Sequence, residues 1–239
     1  MMQTVIMAGG LGTRLGRLTA RSPKSLVDIS GRPFLEHQLE LLRSNGIRRV
    51  LVCVGHLGEQ IKARFGDGRR FGVAIRYSEE GEDLLGTGGA LKKAEPLLEE
   101  RFFLLWGDSY LLLNYREIGR AFLGSDSLGL MVVYRNANGR IRSNVRVRDG
   151  RVALYDKWKA HPDMLYIDNG FSAWSKAILG MIPAGKPFEI ERLFQRLSRK
   201  GEVAAYVTAQ RFYEVGSVPG LGELRRLLRG PRQEPGAKT

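Results

Sequence analysis

Short apolar runs rich in β-branched residues alternate along the first half of the chain with amphipathic stretches, a pattern typical of α/β proteins. The apolar runs predict strands and the amphipathic stretches predict helices, where Pro33 suits a first helical turn and Asn114 a helix cap. The predicted strands cover 4–7, 50–54, 73–77 and 102–105, and the predicted helices cover 33–45, 59–65, 89–98 and 114–123.

The pattern changes after about residue 125, where short strands are separated by Asn-Gly at 138–139 and Asp-Gly at 149–150, dipeptides that favour hairpin turns. Strands are predicted at 129–134, 144–148, 151–155, 203–207 and 211–215, and helices at 175–181, 189–200 and 217–228. The whole pattern predicts an α/β fold, a Rossmann-like mixed sheet flanked by helices. We expect a single domain over 1–229, with a nucleotide-binding half (1–125), a second half (126–229) that closes over it, and a disordered tail (230–239).

Composition is that of a globular protein, with 43% hydrophobic and 26% charged residues, which argues against disordered and fibrous classes. The single cysteine, Cys53, excludes an intramolecular disulfide, and its apolar neighbours predict a buried thiol. No stretch approaches 18 apolar residues, and the first residues lack the basic and apolar regions of a signal peptide. We therefore expect a cytoplasmic protein with no membrane partner.

The formal net charge of +13 favours an anionic partner, which could be nucleic acid, a membrane surface or a phosphorylated small molecule. A solvated basic surface is the plainer alternative. The sequence contains neither the aromatic and basic surface of an RNA-binding sheet nor a basic helix, so no nucleic-acid partner is expected.

A glycine-rich segment, Met7-Ala8-Gly9-Gly10-Leu11-Gly12-Thr13-Arg14-Leu15, follows the first predicted strand. Glycines in such a turn let backbone N–H groups approach a polyphosphate, although tight turns without a ligand are commoner. The segment matches neither the dinucleotide fingerprint nor the P-loop. Arg14 and Lys24 strengthen the phosphate interpretation, because Arg14 is a bidentate donor and Lys24 a mobile point charge.

Together with six further segments, this one resembles the signature of the sugar-1-phosphate nucleotidylyltransferases. The other segments are Pro23-Lys24, Gly31-Arg32-Pro33, Leu85-Gly86-Thr87-Gly88-Gly89-Ala90, Trp106-Gly107-Asp108, Tyr155-Asp156-Lys157 and Asp168-Asn169-Gly170. The resemblance implies a glycosyltransferase-A-like fold and a reaction in which a nucleoside triphosphate and a sugar 1-phosphate give an NDP-sugar and pyrophosphate. No Ser-His-Asp triad is visible, and none is required, because the attacking phosphate oxygen is already ionised.

Within that family, chain length and residues 85–90 are most similar to the heptose-1-phosphate guanylyltransferases, which implies GTP and a heptose or hexose 1-phosphate. The alternatives are UTP, CTP or dTTP with another sugar phosphate and, less favoured, a non-catalytic nucleotide-binding or a nucleic-acid-binding protein. A homo-oligomer is left open. Gly88 and Gly89 leave backbone without side-chain bulk, which permits a purine, and Glu80 is an acceptor for guanine.

The resemblance also implies a role for each matching residue. Asp108 and Glu214 would hold Mg²⁺ (or Mn²⁺), and Arg14, Lys24 and Asp108 would be catalytic. The nucleotide would contact Ala8, Gly9, Gly10, Gly12, Thr13, Arg14, Lys24, Glu80 and Gly88, and the sugar phosphate Asp156, Lys157, Asn169 and Gly170. Asp108 as a strand-end turn residue, Lys157 as a solvated lysine and Trp106 as a core residue are the plainer alternatives.

Three positions depart from the family pattern. Asp156 stands where a glutamate is usual, and its shorter side chain implies different contacts with the sugar hydroxyls. Asn169-Gly170 lacks an intervening alanine, so its roles can shift by one position. Glu214-Val215-Gly216 replaces Asp-x-Gly, and the longer carboxylate arm of Glu214 would move the ion.

Overall fold

The computed structural model describes residues 1–10, 12–81, 85–137, 139 and 141–229, with the backbone alone at Arg14, Arg17 and Leu18. The predicted disordered tail, 230–239, lies outside the described residues. In chain order the described strands are β1 (Gln3–Met7), β2 (Asp28–Ile29), β3 (Arg32–Pro33), β4 (Arg49–Val54), β5 (Ala74–Glu79), β6 (Arg101–Trp106), β7 (Ser109–Leu111), β8 (Gly129–Arg135), β9 (Val145–Arg148), β10 (Arg151–Tyr155), β11 (Tyr166–Ser175), β12 (Val203–Thr208) and β13 (Phe212–Glu214).

The helices follow amphipathic stretches with identifiable ends. Asn114 caps its helix, since its side chain accepts a hydrogen bond from Glu117 N, and Ser217 likewise accepts from Gly220 N. The α-helices are α1 (Phe34–Ser44), α2 (Gly58–Phe65), α3 (Gly86–Lys93), α4 (Tyr115–Leu123), α5 (Ile190–Arg199) and α6 (Val218–Leu228); 3-10 helices cover Thr13–Leu18, Lys24–Leu26, Arg69–Phe71, Glu95–Leu97 and Lys176–Met181. Among the described residues, no helix combines the length and apolarity needed to cross a membrane.

Nine strands form one mixed sheet in the order β5-β4-β1-β6-β11-β8-β12-β10-β9. β5, β4, β1 and β6 are parallel, which is the Rossmann-like part of the fold. β11 runs antiparallel to both β6 and β8 and joins the two halves of the chain into one sheet. The predicted mixed sheet is therefore confirmed, and one further parallel pair, β8 with β12, lies in the second half of the chain.

Side chains alternate between the two faces of the sheet, and helices cover both faces. In β1, Ile6 packs in one core cluster with α1, α2 and α4, and Val5 packs in another with α3 and α5. A third cluster joins α6 to the 3-10 helix that follows the glycine-rich segment, through Leu15, Leu221 and Leu224. The last helix of the chain thus packs against the segment that follows the glycine-rich turn.

The predicted strands and helices are confirmed with small shifts of their ends, but two expectations are wrong. The helix predicted at 89–98 begins at Gly86 and ends at Lys93, and a separate 3-10 turn follows. The Asn-Gly hairpin is absent, since β8 pairs with β11 and β12 while β9 pairs with β10 and β11. The Asp149-Gly150 turn does join a hairpin, β9 to β10.

The sequence analysis also missed β11, because the turn-forming residues Asp168, Asn169 and Gly170 lie in its middle. The strand accommodates them with an irregular register that steps from Asp168 opposite Val133 to Ser172 opposite Met131. Gly170 has φ +91°, a left-handed conformation that favours glycine. Residues that usually end a strand here produce an irregularity inside one.

Candidate functional site

A cavity of about 590 Å³ opens beyond the carboxyl ends of the parallel strands β1 and β6, the usual place for a ligand in an open α/β sheet. The starts of α3 and α5 form its other walls. Its lining consists of Met7, Ala8, Gly9, Gly10, Lys24, Ser25, Glu80, Gly86, Thr87, Trp106, Gly107, Asp108, Lys157, Pro187, Glu189 and Glu191.

The glycine-rich segment gives the cavity a bare backbone wall. A Cβ at Gly9 would collide with Glu80 Oε1, whereas a Cβ at Gly10 would meet no atom within 4 Å. Gly12 has φ +65°, and its carbonyl accepts a hydrogen bond from Thr19 Oγ1 at 2.8 Å, which closes the turn. The segment therefore has the close backbone approach expected of a phosphate-binding loop.

Lys24 and Asp108 meet at the cavity although 84 residues separate them. Lys24 follows Pro23 at the start of a 3-10 helix, and Asp108 follows β6. The Lys24 Nζ donates to Asp108 Oδ2 at 2.8 Å, and the side chains are 17% and 24% exposed. The structure thus brings together a predicted phosphate-binding cation and a predicted metal ligand. The side chain of Arg14 lies outside the described residues, so its role stays a prediction.

Glu80 reaches the cavity beside the backbone of Gly9, as its predicted contact with a base requires. Burial raises the pKa of the Glu80 carboxyl, against a hydrogen bond from Leu85 N that lowers it. Gly88 does not line the cavity. It packs against Phe188, since a Cβ on Gly88 would lie 2.6 Å from Phe188 Cδ1. The expectation of open space beside Gly88 is wrong, because Phe188 fills that space. The Gly88 N–H donates to Phe188 O at 2.7 Å.

Lys157 lines the opposite wall, where it forms an ion pair with Glu191. The Glu191 side chain is 2% exposed and the Lys157 side chain 55% exposed. Thr87 Oγ1 lies 3.0 Å from Glu189 Oε2 and 3.1 Å from Glu191 Oε2. Glu189 and Glu191 were not predicted as site residues, since a glutamate pair at the start of an amphipathic helix carries no signal of its own.

The neighbouring Asp156 is buried and serves its own turn. Its Oδ1 accepts hydrogen bonds from Trp158 N at 2.9 Å and Lys159 N at 2.8 Å. Burial alone would raise the pKa of Asp156, but these N–H groups and His161 hold it below the usual value. Asp156 does not line the cavity, so its predicted contact with a sugar has no support from this arrangement.

Asn169 and Gly170 also lie behind the cavity wall. Asn169 is 1% exposed, and its Oδ1 accepts from Phe171 N at 3.2 Å. A Cβ at Gly170 would collide with Ser109 Oγ and lie 2.9 Å from Trp106 Cδ1. Gly170 thus packs close to Trp106, which lines the cavity itself, and neither Asn169 nor Gly170 is part of the lining.

Asp168 belongs to the same segment, and its carboxyl has a shifted pKa. Burial raises the pKa of Asp168 to about 6; the N–H of Gly170 lowers it, and the negative charge of Glu191 raises it further. Glu191 thus influences both a cation and a second carboxyl on this side of the cavity.

The sequence profile of the nucleotidyl transferase family matches residues 3–227. This chain belongs to the nucleotidyl transferase family. The resemblance to sugar-1-phosphate nucleotidylyltransferases seen in the sequence is therefore confirmed, together with the fold that it implies.

Three relatives of this nucleotidyl transferase are informative. A D-glycero-alpha-D-manno-heptose 1-phosphate guanylyltransferase of Campylobacter jejuni is 29% identical over 215 residues, covering 90% of this chain and 95% of that protein. A UTP–glucose-1-phosphate uridylyltransferase of Synechocystis is 30% identical over 237 residues, covering 91% of this chain but 61% of that protein. The crystal structure of HddC from Yersinia pseudotuberculosis complexed with GMP-PN has a TM-score of 0.82 and 29% identity, covering 95% of this chain and 100% of that one.

Glu214 lies beside Asp108 in the backbone but not in the cavity. Glu214 is the cross-strand neighbour of Ser109, and Val215 N donates to Asp108 O at 2.9 Å. Its carboxylate oxygens accept hydrogen bonds from Gly216 N and Ser217 Oγ, so they face the turn before α6. Within the described part of the chain, no three His, Cys, Asp or Glu side chains are grouped as a metal site.

Proposed function

We propose that this nucleotidyl transferase joins GTP and a heptose 1-phosphate to give a GDP-heptose and pyrophosphate. The observation that carries the proposal is a single cavity with a bare glycine backbone and Lys24 on one wall and Lys157 on the other. Two phosphorylated substrates can therefore meet between two separate cations. The Campylobacter relative and the Yersinia structure with its guanine nucleotide analogue support this choice of base and sugar.

The bond change needs positive charge and alignment rather than a general base. An ionised oxygen of the sugar phosphate attacks the α-phosphorus of the nucleotide and forms the new P–O bond. The bond from the α-phosphorus to the bridging oxygen breaks, and its electron pair leaves with pyrophosphate. Lys24, Arg14 and Lys157 would stabilise the charge that accumulates on the phosphoryl oxygens.

Glu80 would select the base. Its half-buried carboxylate can accept hydrogen bonds from guanine N1–H and the exocyclic amine. A base without those donors leaves the carboxylate unpaired, which such sites discriminate against strongly.

The donor set fits a divalent metal in part. Mg²⁺ is usually bound through one or two carboxylates together with substrate phosphates, and Asp108 offers such a carboxylate to the cavity. Asp108 would hold Mg²⁺ or Mn²⁺, with Glu214 as a second ligand after its carboxylate turns from the Ser217 hydroxyl. The metal, when bound, supplies a Lewis acid for the phosphoryl oxygens.

Pyrophosphate release with a panel of nucleotides and sugar phosphates tests the proposal. We expect kcat/KM for GTP with a heptose 1-phosphate to exceed that for ATP, CTP, dTTP and UTP by tenfold or more. A tenfold preference for a pyrimidine nucleotide would overturn the guanylyl assignment and favour a uridylyltransferase such as the Synechocystis relative. Absence of NDP-sugar with every pair would overturn the reaction itself.

The metal assignment has its own test. Activity should be lost in excess chelator and return with Mg²⁺ or Mn²⁺. Asp108→Asn and Glu214→Gln should each raise the Mg²⁺ concentration that is needed for half-maximal activity. An active Glu214→Gln variant with unchanged Mg²⁺ dependence would contradict the role of Glu214 alone. Undiminished activity in chelator would contradict both.

A further inference from the structure

Two carboxylates surround one hydroxyl on the Lys157 side of the cavity. Glu189 and Glu191 lie two residues apart at the start of α5, and both reach Thr87 Oγ1, at 3.0 and 3.1 Å. All three side chains line the cavity. The group is built from the start of α3 and the start of α5, which backbone hydrogen bonds from Gly88 and Gly89 to Phe188 O hold together.

The single hydroxyl proton of Thr87 cannot satisfy both carboxylates. Thr87 has one hydroxyl proton, and its oxygen already accepts from Ile190 N at 2.9 Å. It can therefore donate to only one of the two carboxylates. Lys157 donates to Glu191, which leaves the acceptor capacity of Glu189 open to a ligand.

The cavity also carries more negative charge than a phosphate site would need. Its described lining contains four carboxylates, Glu80, Asp108, Glu189 and Glu191, against two lysines. Asp108 pairs with Lys24 and Glu191 with Lys157, which leaves Glu80 and Glu189 without an ion pair among the described residues. Glu80 already has a proposed partner in the base. A carboxylate near two polyanions weakens their binding unless it contacts a neutral donor, and sugar hydroxyls are such donors.

We propose that Glu189 selects the sugar by accepting hydrogen bonds from its hydroxyls, and that Glu191 is a positioning residue for Lys157. The inference rests on the proposed function and assigns to α5 the contact that the sequence had assigned to Asp156. Asp156 uses its carboxylate within its own turn and Glu191 is paired with Lys157, so on this wall Glu189 is the carboxylate with acceptor capacity for a sugar.

Glu191 acts through Lys157 and not on the sugar. Its carboxylate is nearly fully buried, whereas the ammonium that it holds belongs to a half-exposed side chain. A buried anchor restricts a flexible cation to one place at the cavity wall. Without it, Lys157 would keep its charge and lose its position.

The decisive experiment combines a variant with altered sugars. Wild-type protein and Glu189→Gln are assayed by pyrophosphate release with the accepted sugar 1-phosphate and its monodeoxy and epimeric forms. In wild type, changing a hydroxyl that contacts Glu189 should lower kcat/KM about 10- to 150-fold, the range for a hydrogen bond to a charged group. In Glu189→Gln that discrimination should largely disappear, while KM for the nucleotide stays within about twofold.

Glu191→Gln should raise KM for every sugar 1-phosphate alike and leave the ranking of the sugars unchanged. Glu59→Gln, an exposed carboxylate on α2, serves as the matched control and should change neither. Thermal midpoints equal to that of wild type establish that the variants fold. If Glu189→Gln does not fold, Glu189→Asp provides a second, milder substitution. Unchanged sugar discrimination in a folded, active Glu189 variant would overturn the inference and leave the proposed reaction intact. Inactive wild-type protein would instead contradict the proposed function.

Discussion

The two walls of the cavity are built differently, and the difference explains which site residues a sequence reveals. On the wall that we propose for the nucleotide, Gly9, Gly10, Lys24 and Asp108 belong to recognised motifs, and all four line the cavity. On the wall that we propose for the sugar, Lys157 is the motif residue that lines the cavity. The motif residues Asp156, Asn169 and Gly170 are buried behind this wall, while Glu189 and Glu191 line it from outside any motif.

Local geometry accounts for this contrast. The wall proposed for the nucleotide directly follows parallel strands, so the strand ends fix its position. The short segments after those strands contain the residues that line the cavity. The sugar wall combines the end of β10 with the starts of α3 and α5. Its motif residues maintain turns and an irregular strand, and the contact surface comes from a helix start distant in sequence.

Loss of Lys24 should have the largest effect and should be confined to the nucleotide wall. Lys24→Ala removes the cation 2.8 Å from Asp108, and we expect kcat to fall about 10²- to 10³-fold, the scale for one preorganised charge contact. Arg14→Ala should act similarly. The measurement is steady-state pyrophosphate release by folded protein.

Lys62→Ala provides the matched control, because Lys62 pairs with Glu59 and Glu79 on the surface. We expect its kcat to remain at the wild-type value. A Lys24→Ala variant that turns over at a near wild-type rate would remove Lys24 from the catalytic machinery and weaken the contrast between the walls.

Much of the fold was predictable because period and end signals agree with it. Pro33, Asn114 and Ser217 all mark helix starts at the positions found. β11 was not predictable, since Asp168-Asn169-Gly170 has the composition of a turn and pairing with β6, β8 and β9 keeps the strand extended. Tertiary contacts there override a local preference.

The site shows the same limit. The carboxylate of Asp156 was expected at the sugar because it precedes Lys157, yet two backbone N–H groups of its own turn bind it. Gly88 was assigned to the base, but its missing side chain makes room for Phe188. A motif identifies the position of a residue, whereas the direction of its side chain depends on neighbours that only the structure supplies.

Two alanine substitutions should separate packing from binding. Gly88→Ala would place a Cβ 2.6 Å from Phe188 Cδ1 and 2.9 Å from Phe188 O, and we expect it to lower the free energy of unfolding by about 1–3 kcal/mol. Gly10→Ala should change that free energy by less than about 0.5 kcal/mol, since its Cβ meets nothing within 4 Å. Because that Cβ lies at the cavity, KM for the nucleotide should rise. Urea unfolding and nucleotide titration measure the two quantities.

The reverse pattern would contradict this division. A stable Gly88→Ala variant with weakened nucleotide binding would return Gly88 to the nucleotide site. A destabilised Gly10→Ala variant would mean that the glycine-rich wall is packed rather than open.

The smallest effect concerns pH, and it tests whether each wall carries a carboxyl whose pKa is raised by burial. Burial raises the pKa of Asp168 from 3.8 to about 6 on the sugar side, and raises that of Glu80 from 4.5 on the nucleotide side. Between pH 4 and 6 the unfolded chain ionises Asp168 while the folded chain retains its proton, so the unfolded state binds fewer protons. The free energy of unfolding must then fall as pH rises through this window, and the contribution is constant above it.

Asp168→Asn removes this dependence without introducing a charge. Between pH 4 and pH 6.5 the free energy of unfolding of the variant should therefore rise by about 2 kcal/mol relative to that of wild type, with little further change at higher pH. Glu80→Gln should give a difference of the same sign that begins near pH 4.5. Urea unfolding of the three proteins across pH 4–8 measures both differences, and other carboxyls cancel because each comparison shares them. A difference between Asp168→Asn and wild type that stays constant from pH 4 to 6.5 would mean that Asp168 ionises as easily in the folded protein as in the unfolded chain. In that case burial and the charge of Glu191 would not raise the pKa of Asp168. The contrast between the two walls would then rest on Glu189 alone.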